Sequence, residues 1–336
     1  MRVGIVGYGE SAGSFAQAAK AADGVELVFI GGRNPAKAAA LADRYGVASG
    51  TYEEMLARCD LDCVAISTPP GRHADDAIPF IERGVHTMIE KPMCLTVADC
   101  RRIIAAAEKA GVKVMVTQTH RYTRRARRAR ELIASGALGR VIHVSVESFH
   151  DYFTSKRSGW QLDWAMSGGG VTMNPFIHMI DLARYLVGAE VAQIEGKIGF
   201  HKPGYDIESN VQAFARFAGG ATAFINVDGL GHRNEMRTEV ILEGGTVALR
   251  RDVPNVVEVY RQNGLWEVLS VGPRAVEKNG IRVHDGYLLH MEEMRDAIEK
   301  GGPIVSDGYN GMRNVELCVQ ILEANGVEIA RGRRLR

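Results

Sequence analysis

The feature that most constrains this chain is Gly7-Tyr8-Gly9-Glu10-Ser11-Ala12, set between the apolar run Arg2-Val3-Gly4-Ile5-Val6 and a helical stretch from Phe15 to Ala22. A G-x-G-x-x-A run after a strand and before a helix is the setting of a dinucleotide-binding turn. Gly7 permits the tight turn, and Gly9 lets the backbone approach a pyrophosphate resting on the N–H groups of the helix start. Alanine is tolerated at the third position. The backbone of Gly7, Gly9, Glu10, Ser11 and Ala12 is therefore the expected binding surface. The Glu10 carboxylate, which would repel phosphate, is expected to turn away.

Strand and helix patterns alternate through about the first 120 residues, as a doubly wound parallel α/β sheet requires. Val25–Ile30 is the second strand, Asn34-Pro35 opens a helix, Thr51 and Glu54 form a capping box, and Cys63–Ser67 is a buried strand. It ends in Thr68-Pro69-Pro70-Gly71-Arg72-His73. Thr96 caps a helix that stops at Gly111, and Lys113–Thr117 is a sixth strand. From about residue 140 the segments become short, β-rich and punctuated by turns such as Ala218-Gly219-Gly220 and Glu243-Gly244-Gly245. Helices are expected near 175–187, 287–300 and 310–325. Two domains follow: 1–120, a dinucleotide-binding domain, and 121–336, an α+β domain with a large, mostly antiparallel sheet. A sheet with one open apolar face favours packing against a second copy, as a homodimer or homotetramer.

Composition narrows the partners. A net charge of +1 argues against nucleic acid or an anionic membrane. Cys59, Cys63, Cys94, Cys100 and Cys318 show no metal-ligand spacing, so no metal is expected and a reducing cytoplasm suits the chain. No leader segment is expected, because the strand pattern begins at residue 3, and no apolar run is long enough to span a bilayer. The run from Arg121 to Arg130 holds six arginines. They spread around a helix, with ion pairs such as those available to Glu131. A sharper reading turns Arg121 or Arg124 toward an anionic substrate.

Two further clusters carry chemistry. Val85–Ile89 reads as a buried strand closing in Glu90-Lys91-Pro92. Such strand ends are where open α/β sheets bind ligands. Pro92 biases Lys91 toward extended backbone. Ser167-Gly168-Gly169-Gly170…Asn174-Pro175…His178…Asp181 is the second. Asn174, His178 and Asp181, at i, i+4 and i+7, would share one helix face, and the glycines would let backbone approach a ligand. Asn174 as a mere cap, or His178 paired with Asp181, are the plain alternatives. At the end of the second strand, Phe29-Ile30-Gly31-Gly32-Arg33 carries no acid to bond a ribose 2′-hydroxyl. Arg33, with Lys37 nearby, can face a 2′-phosphate, so NADP is favoured, with NAD possible if Arg33 only stacks on adenine.

Glu90-Lys91-Pro92, the Thr68-Pro69-Pro70…His73 loop, the opening glycines and the Gly168…Asn174…His178…Asp181 segment occur in one order over essentially the whole chain. Together they resemble the glucose–fructose oxidoreductase, inositol dehydrogenase and rhizopine-catabolism family (Gfo/Idh/MocA). The resemblance implies an NAD(P)-dependent oxidoreductase acting on a hydroxyl or carbonyl carbon of a sugar, cyclitol or sugar derivative, in many members joined through the C-terminal sheet. It implies a catalytic Lys91 touching substrate and cofactor, an acid/base His178, and Asn174 where inositol dehydrogenases carry aspartate. It also implies an aromatic Trp160 near the substrate, with Thr68, Pro69, His73 and Glu90 along the cofactor. His150, Tyr152 and Arg157 are further candidates to line the substrate site. A free lysine titrates near ~10.4, so either Lys91 accepts the proton with a lowered pKa or it stays charged while His178 accepts it. A reductase of another carbonyl or an enamine, or a non-catalytic NADP-binding sensor, are the alternatives.

Overall fold

In a computed structural model of the chain, residues 1–154, 159–253, 255–328 and 333–334 are described. Two compact units emerge, one of Met1–Thr119 with Ala275–Val315 and one of His120–Arg274 with Glu316–Arg336.

In the first unit six strands form one sheet: β1 (Arg2–Val6), β2 (Glu26–Gly31), β3 (Ala48–Gly50), β4 (Cys63–Ile66), β5 (His86–Glu90) and β6 (Val114–Thr117). Their order is β3-β2-β1-β4-β5-β6, and every pairing is parallel. The helices α1 (Glu10–Ala21), α2 (Pro35–Asp43), α3 (Tyr52–Leu56), α4 (His73–Ile81) and α5 (Val97–Ala110) connect them. Chain order reverses between β1 and β4, so the carboxyl ends of those strands flank the switch point where such sheets hold ligands. β4 and β6 are buried along their whole length, as strands covered on both faces must be.

Local chemistry fixes the helix ends. Asn34 accepts from the Lys37 amide with Pro35 at the first helical position, and Thr51 and Glu54 form the full capping box. Thr96 accepts from the Asp99 amide, and α5 stops at Gly111 with φ of 68°. Two helices depart from the pattern: Gly9 at the N-cap of α1 and Arg72 at that of α4 give no side-chain cap bond.

The second unit begins with α6 (Thr119–Tyr122) and α7 (Arg124–Ala134), followed by the long strand β7 (Val141–Asp151), α8 (Trp164–Ser167) and α9 (Ile177–Val187). Seven more strands follow: β8 (Val191–Gly199), β9 (Asn210–Phe217), β10 (Thr222–Asp228), β11 (Leu230–Leu242), β12 (Gly245–Arg250), β13 (Val256–Arg261) and β14 (Trp266–Ser270). With β7 they make an eight-stranded sheet, β14-β13-β12-β11-β7-β10-β9-β8, in which β7 and β10 pair in parallel and the other named pairs are antiparallel. α7 and α9 pack on one face. β9 shows the consequence: Val211, Ala213, Ala215 and Phe217 are buried while Phe214 on the other face is 66% exposed.

Residues 275–315 lie in the first unit although they fall between the two segments of the second. The hairpin β15 (Ala275–Lys278) and β16 (Ile281–His284) leads into α10 (Asp285–Lys300), which packs against α1. The reason is compositional. Val283, Leu288, Met291 and Met294 join Phe15, Ala18, Ala19 and Ala22 in one buried core, an apolar stripe that a break at residue 120 would strip from α1. The last helix, α11, spans Gly308–Ala324. Among the described residues no helix is long and apolar enough to cross a membrane.

Candidate functional site

The glycine turn has the geometry its sequence promises. Gly7 holds φ of +124°, and a Cβ there would lie 2.7 Å from the Ser67 carbonyl oxygen, so only glycine fits. Its N–H donates to the Gly31 carbonyl at 2.9 Å. At Gly9 nothing lies within 4 Å of where a Cβ would be. The start of α1 therefore opens on free space at Gly9 and has no side-chain cap, which fits a pyrophosphate. Ala12 is fully buried, serving helix–strand packing rather than ligand contact. Ser11 is half-buried, and Glu10 is exposed in the first turn of α1.

At the end of β2 no acid is present. The Arg33 guanidinium donates to Asp76 at 2.5 and 3.3 Å and lies over the Tyr52 ring, 5.2 Å from its centroid. Its side chain remains 40% exposed. The Thr68 hydroxyl donates to the same Asp76 carboxylate at 2.7 Å, and Pro69 is half-buried beside it.

His73 is fully buried. Its Nδ1 is 3.0 Å from the Pro92 carbonyl oxygen and 3.2 Å from that of Met93, and its Nε2 is 2.7 Å from the Thr68 carbonyl oxygen. Burial lowers its pKa, with the Thr68 carbonyl and Glu90 acting the other way. The ring thus ties the β4 loop to the segment after Lys91 and, being wholly enclosed, is a brace for that loop. Glu90 is likewise turned inward, 6% exposed, and accepts from the Tyr287 hydroxyl at 2.7 Å and from the Lys91 amide at 3.1 Å. Burial, reinforced by the Glu90 charge, pushes the Tyr287 hydroxyl well above its ordinary pKa, so it stays a donor. Lys91 follows directly on β5 and is half-buried.

In the second unit the structure corrects the expected helix face. Asn174 has φ of −162° and ψ of 106°, and α9 begins only at Ile177. Proline disfavours helical backbone in the residue before it, so Asn174 neither lies on the helix nor caps it. His178 and Asp181 do lie on α9. Asp181 takes the Arg121 guanidinium in a bidentate pair, 2.7 and 2.6 Å, with both side chains buried. That commits Arg121 to the fold and corrects its reading as a ligand-facing cation. Arg125 donates to the Arg250 carbonyl at 2.9 Å, and Arg128 pairs with Glu131 at 3.2 Å, while Arg124 is exposed.

The glycines before Asn174 also serve the fold. Cβ atoms at Gly169 and Gly170 would run into Glu208, whose buried Oε1 accepts from the Gly170 and Thr172 amides at 2.8 and 2.9 Å. Trp160 is 37% exposed, whereas Tyr152 is 1% exposed with His150 edge-on to it, and Arg157 lies outside the described residues. Motif reading missed four residues. They are His120, whose ring lies 4.7 Å from that of His178, together with Asp76, Tyr287 and Glu208. The position of His120 just past the carboxyl end of β6 was a usable signal. The other three act through distant partners that no spacing rule reaches.

A parallel six-stranded sheet with an uncapped glycine turn at its switch point defines a dinucleotide-binding protein. The family is equally clear: residues 1–118 match the NAD-binding Rossmann fold of the GFO/IDH/MocA oxidoreductase family and residues 126–248 match a GFO/IDH/MocA C-terminal domain. The chain belongs to that family and is an NAD(P)-dependent oxidoreductase. It is 29% identical to a 1-carboxy-3-chloro-3,4-dihydroxycyclo hexa-1,5-diene dehydrogenase of Comamonas testosteroni, over 86% of this chain and 72% of that protein. It is 32% identical to a 1,5-anhydro-D-fructose reductase of Ensifer adhaerens, over 66% of this chain and 67% of that protein. Its fold matches a levoglucosan dehydrogenase solved with NADH and L-sorbose, with a TM-score of 0.88 at 22% identity over 99% of this chain and 97% of the other.

Proposed function

We propose that this protein transfers a hydride between NADP and a hydroxyl or carbonyl carbon of a sugar, cyclitol or related ring polyol. The observation that carries the reading is Lys91, placed at the carboxyl end of β5 by the buried Glu90–Tyr287 pair, in the unit that holds the dinucleotide turn. The substrate class draws support from the named relatives, a dihydroxycyclohexadiene dehydrogenase and an anhydrofructose reductase, both of hydroxylated rings. When bound, the nicotinamide accepts or supplies the hydride.

The roles of the chain's own groups follow from their chemistry. Gly7, Gly9 and the amides of Glu10 to Ala12 hold the pyrophosphate, and Thr68, Pro69 and the His73 brace shape the loop beside it. Lys91 meets the reacting oxygen through its Nζ: as a neutral amine it accepts the hydroxyl's proton, and as an ammonium it donates to the oxygen and stabilises its negative charge. His178, buried to 7% exposure with the His120 ring against it, is the second proton-handling group. Asn174, in extended backbone, offers an amide that both donates and accepts to hydroxyl groups. Trp160 offers an exposed aromatic surface for a sugar ring. Preference for NADP rests on the missing acid after β2 and on the exposed Arg33. The open face of the eight-stranded sheet, with Phe214 and Phe224 rings 4.9 Å apart and Trp266 59% exposed, supports a homodimer or homotetramer through that sheet.

The test is turnover. Purified protein with NADP, offered inositols, aldoses and anhydrosugars, is expected to reduce the cofactor with at least one ring polyol. Failure with every member of the panel, in both directions and with either cofactor, would contradict the reading.

A further inference from the structure

We propose that Arg72 is a second reader of the cofactor's 2′-phosphate and that Asp76 is the positioning residue that sets Arg72 and Arg33 together. The inference rests on the NADP reading above and adds residues to it. Asp76 stands in the first turn of α4 and is fully buried, where the helix N-terminus favours its charge. Its Oδ1 takes Arg33 at 2.5 Å and lies 3.7 Å from the Arg72 guanidinium, while its Oδ2 takes the Thr68 hydroxyl at 2.7 Å and Arg33 at 3.3 Å. An enclosed carboxylate with both oxygens claimed cannot accept from a ribose hydroxyl. It cannot replace the acid that NAD-specific sites carry after the second strand.

What it can do is hold two cations. One carboxylate shared by two guanidiniums leaves a positive charge uncompensated at that point. Both arginine side chains reach solvent, Arg33 at 40% and Arg72 at 38% exposure. Tyr52 fixes the plane beneath Arg33, and its hydroxyl donates to the Asp76 carbonyl at 3.1 Å. Burial pushes that hydroxyl up to about 12, so it adds no negative charge at neutral pH. Beyond Asp76, the acid acting on Arg33 is Glu53, and Lys37 holds its amine 5.8 Å from the Tyr8 ring centroid. A phosphate monoester suits two planar forks held by a common acid better than a neutral hydroxyl does.

The experiment is a fluorescence titration with NADPH and with NADH, alongside competition by adenosine 2′,5′-bisphosphate and by 5′-AMP. It uses the wild-type chain, Arg72→Ala, Arg72→Lys and Asp76→Asn. Wild type is expected to favour NADPH. Arg72→Ala should weaken NADPH and the bisphosphate about tenfold while moving NADH and 5′-AMP by less than about twofold, with Arg72→Lys recovering part of the loss. Asp76→Asn should lose selectivity to a similar degree; should it fail to fold, the part-exposed Arg72 variants still decide the matter. A wild type that favours NADH overturns the NADP reading itself. A wild type that favours NADPH, with selectivity unchanged in Arg72→Ala, overturns this inference and leaves that reading standing.

Discussion

Removing one partner of the Arg121–Asp181 pair should damage the second unit far more than removing both. The guanidinium meets the carboxylate through two bonds of 2.7 and 2.6 Å, with side chains 6% and 0% exposed, and also lies 5.2 Å from the centroid of the Tyr185 ring. Arg121→Leu takes both guanidinium bonds from a buried carboxylate, and Asp181→Leu takes the carboxylate from a buried guanidinium. Breaking a pair this enclosed costs ~3–5 kcal/mol. Replacing both with leucine removes both charges together and should cost less than either single change. Urea unfolding followed by tryptophan fluorescence reads this unit, because Trp160, Trp164 and Trp266 all belong to it. Single variants that each lose less than about 1 kcal/mol, or a double variant equal to their sum, would refute a buried structural pair. A single Arg121 variant of normal stability but raised KM for an anionic substrate would return that residue to ligand binding.

Three other outcomes follow from local geometry. Gly7→Ala forces a methyl group onto the Ser67 carbonyl and should lower both melting temperature and cofactor affinity, whereas Gly9→Ala meets open space and should keep the melt while losing affinity; equal melting losses would contradict this. Tyr287→Phe deprives the buried Glu90 carboxylate of its hydroxyl donor and should cost ~1.5–3 kcal/mol, checked by thermal melting, with an unchanged melt as the contrary result. Glu208→Gln tests a linkage. Burial raises the pKa of Glu208, so the unfolded chain loses its proton first and the native state loses stability as pH rises from the ordinary carboxylate value toward the raised one. The glutamine variant escapes that loss, so its melting temperature relative to wild type should be higher at pH about 8 than at pH about 4; the reverse order would contradict the assignment.

Much of the fold can be read from the chain because its signals are local. The strand at 191–199 and the capping at Asn34, Thr51 and Thr96 depend on residues within a few positions of one another. The glycine turn is legible for the same reason, since Gly7 meets a constraint set by its own φ. The helix face of Asn174 was misread because periodicity alone ignores what Pro175 does to the residue before it. Gly169 and Gly170 suggested ligand approach, whereas the close neighbour is Glu208, far along the chain. His73 offered no sequence sign of its enclosure between the Thr68 and Pro92 carbonyls. Placement of α10 against α1 was equally hidden, because an apolar stripe shows that a helix is covered and not by what.

The most direct measurement is turnover of Lys91→Ala beside its NADPH titration. The proposed chemistry predicts that turnover of a ring-polyol substrate falls by about 10²–10⁴ while NADPH binding stays within about threefold of wild type. Turnover near that of wild type would remove Lys91 from the reaction.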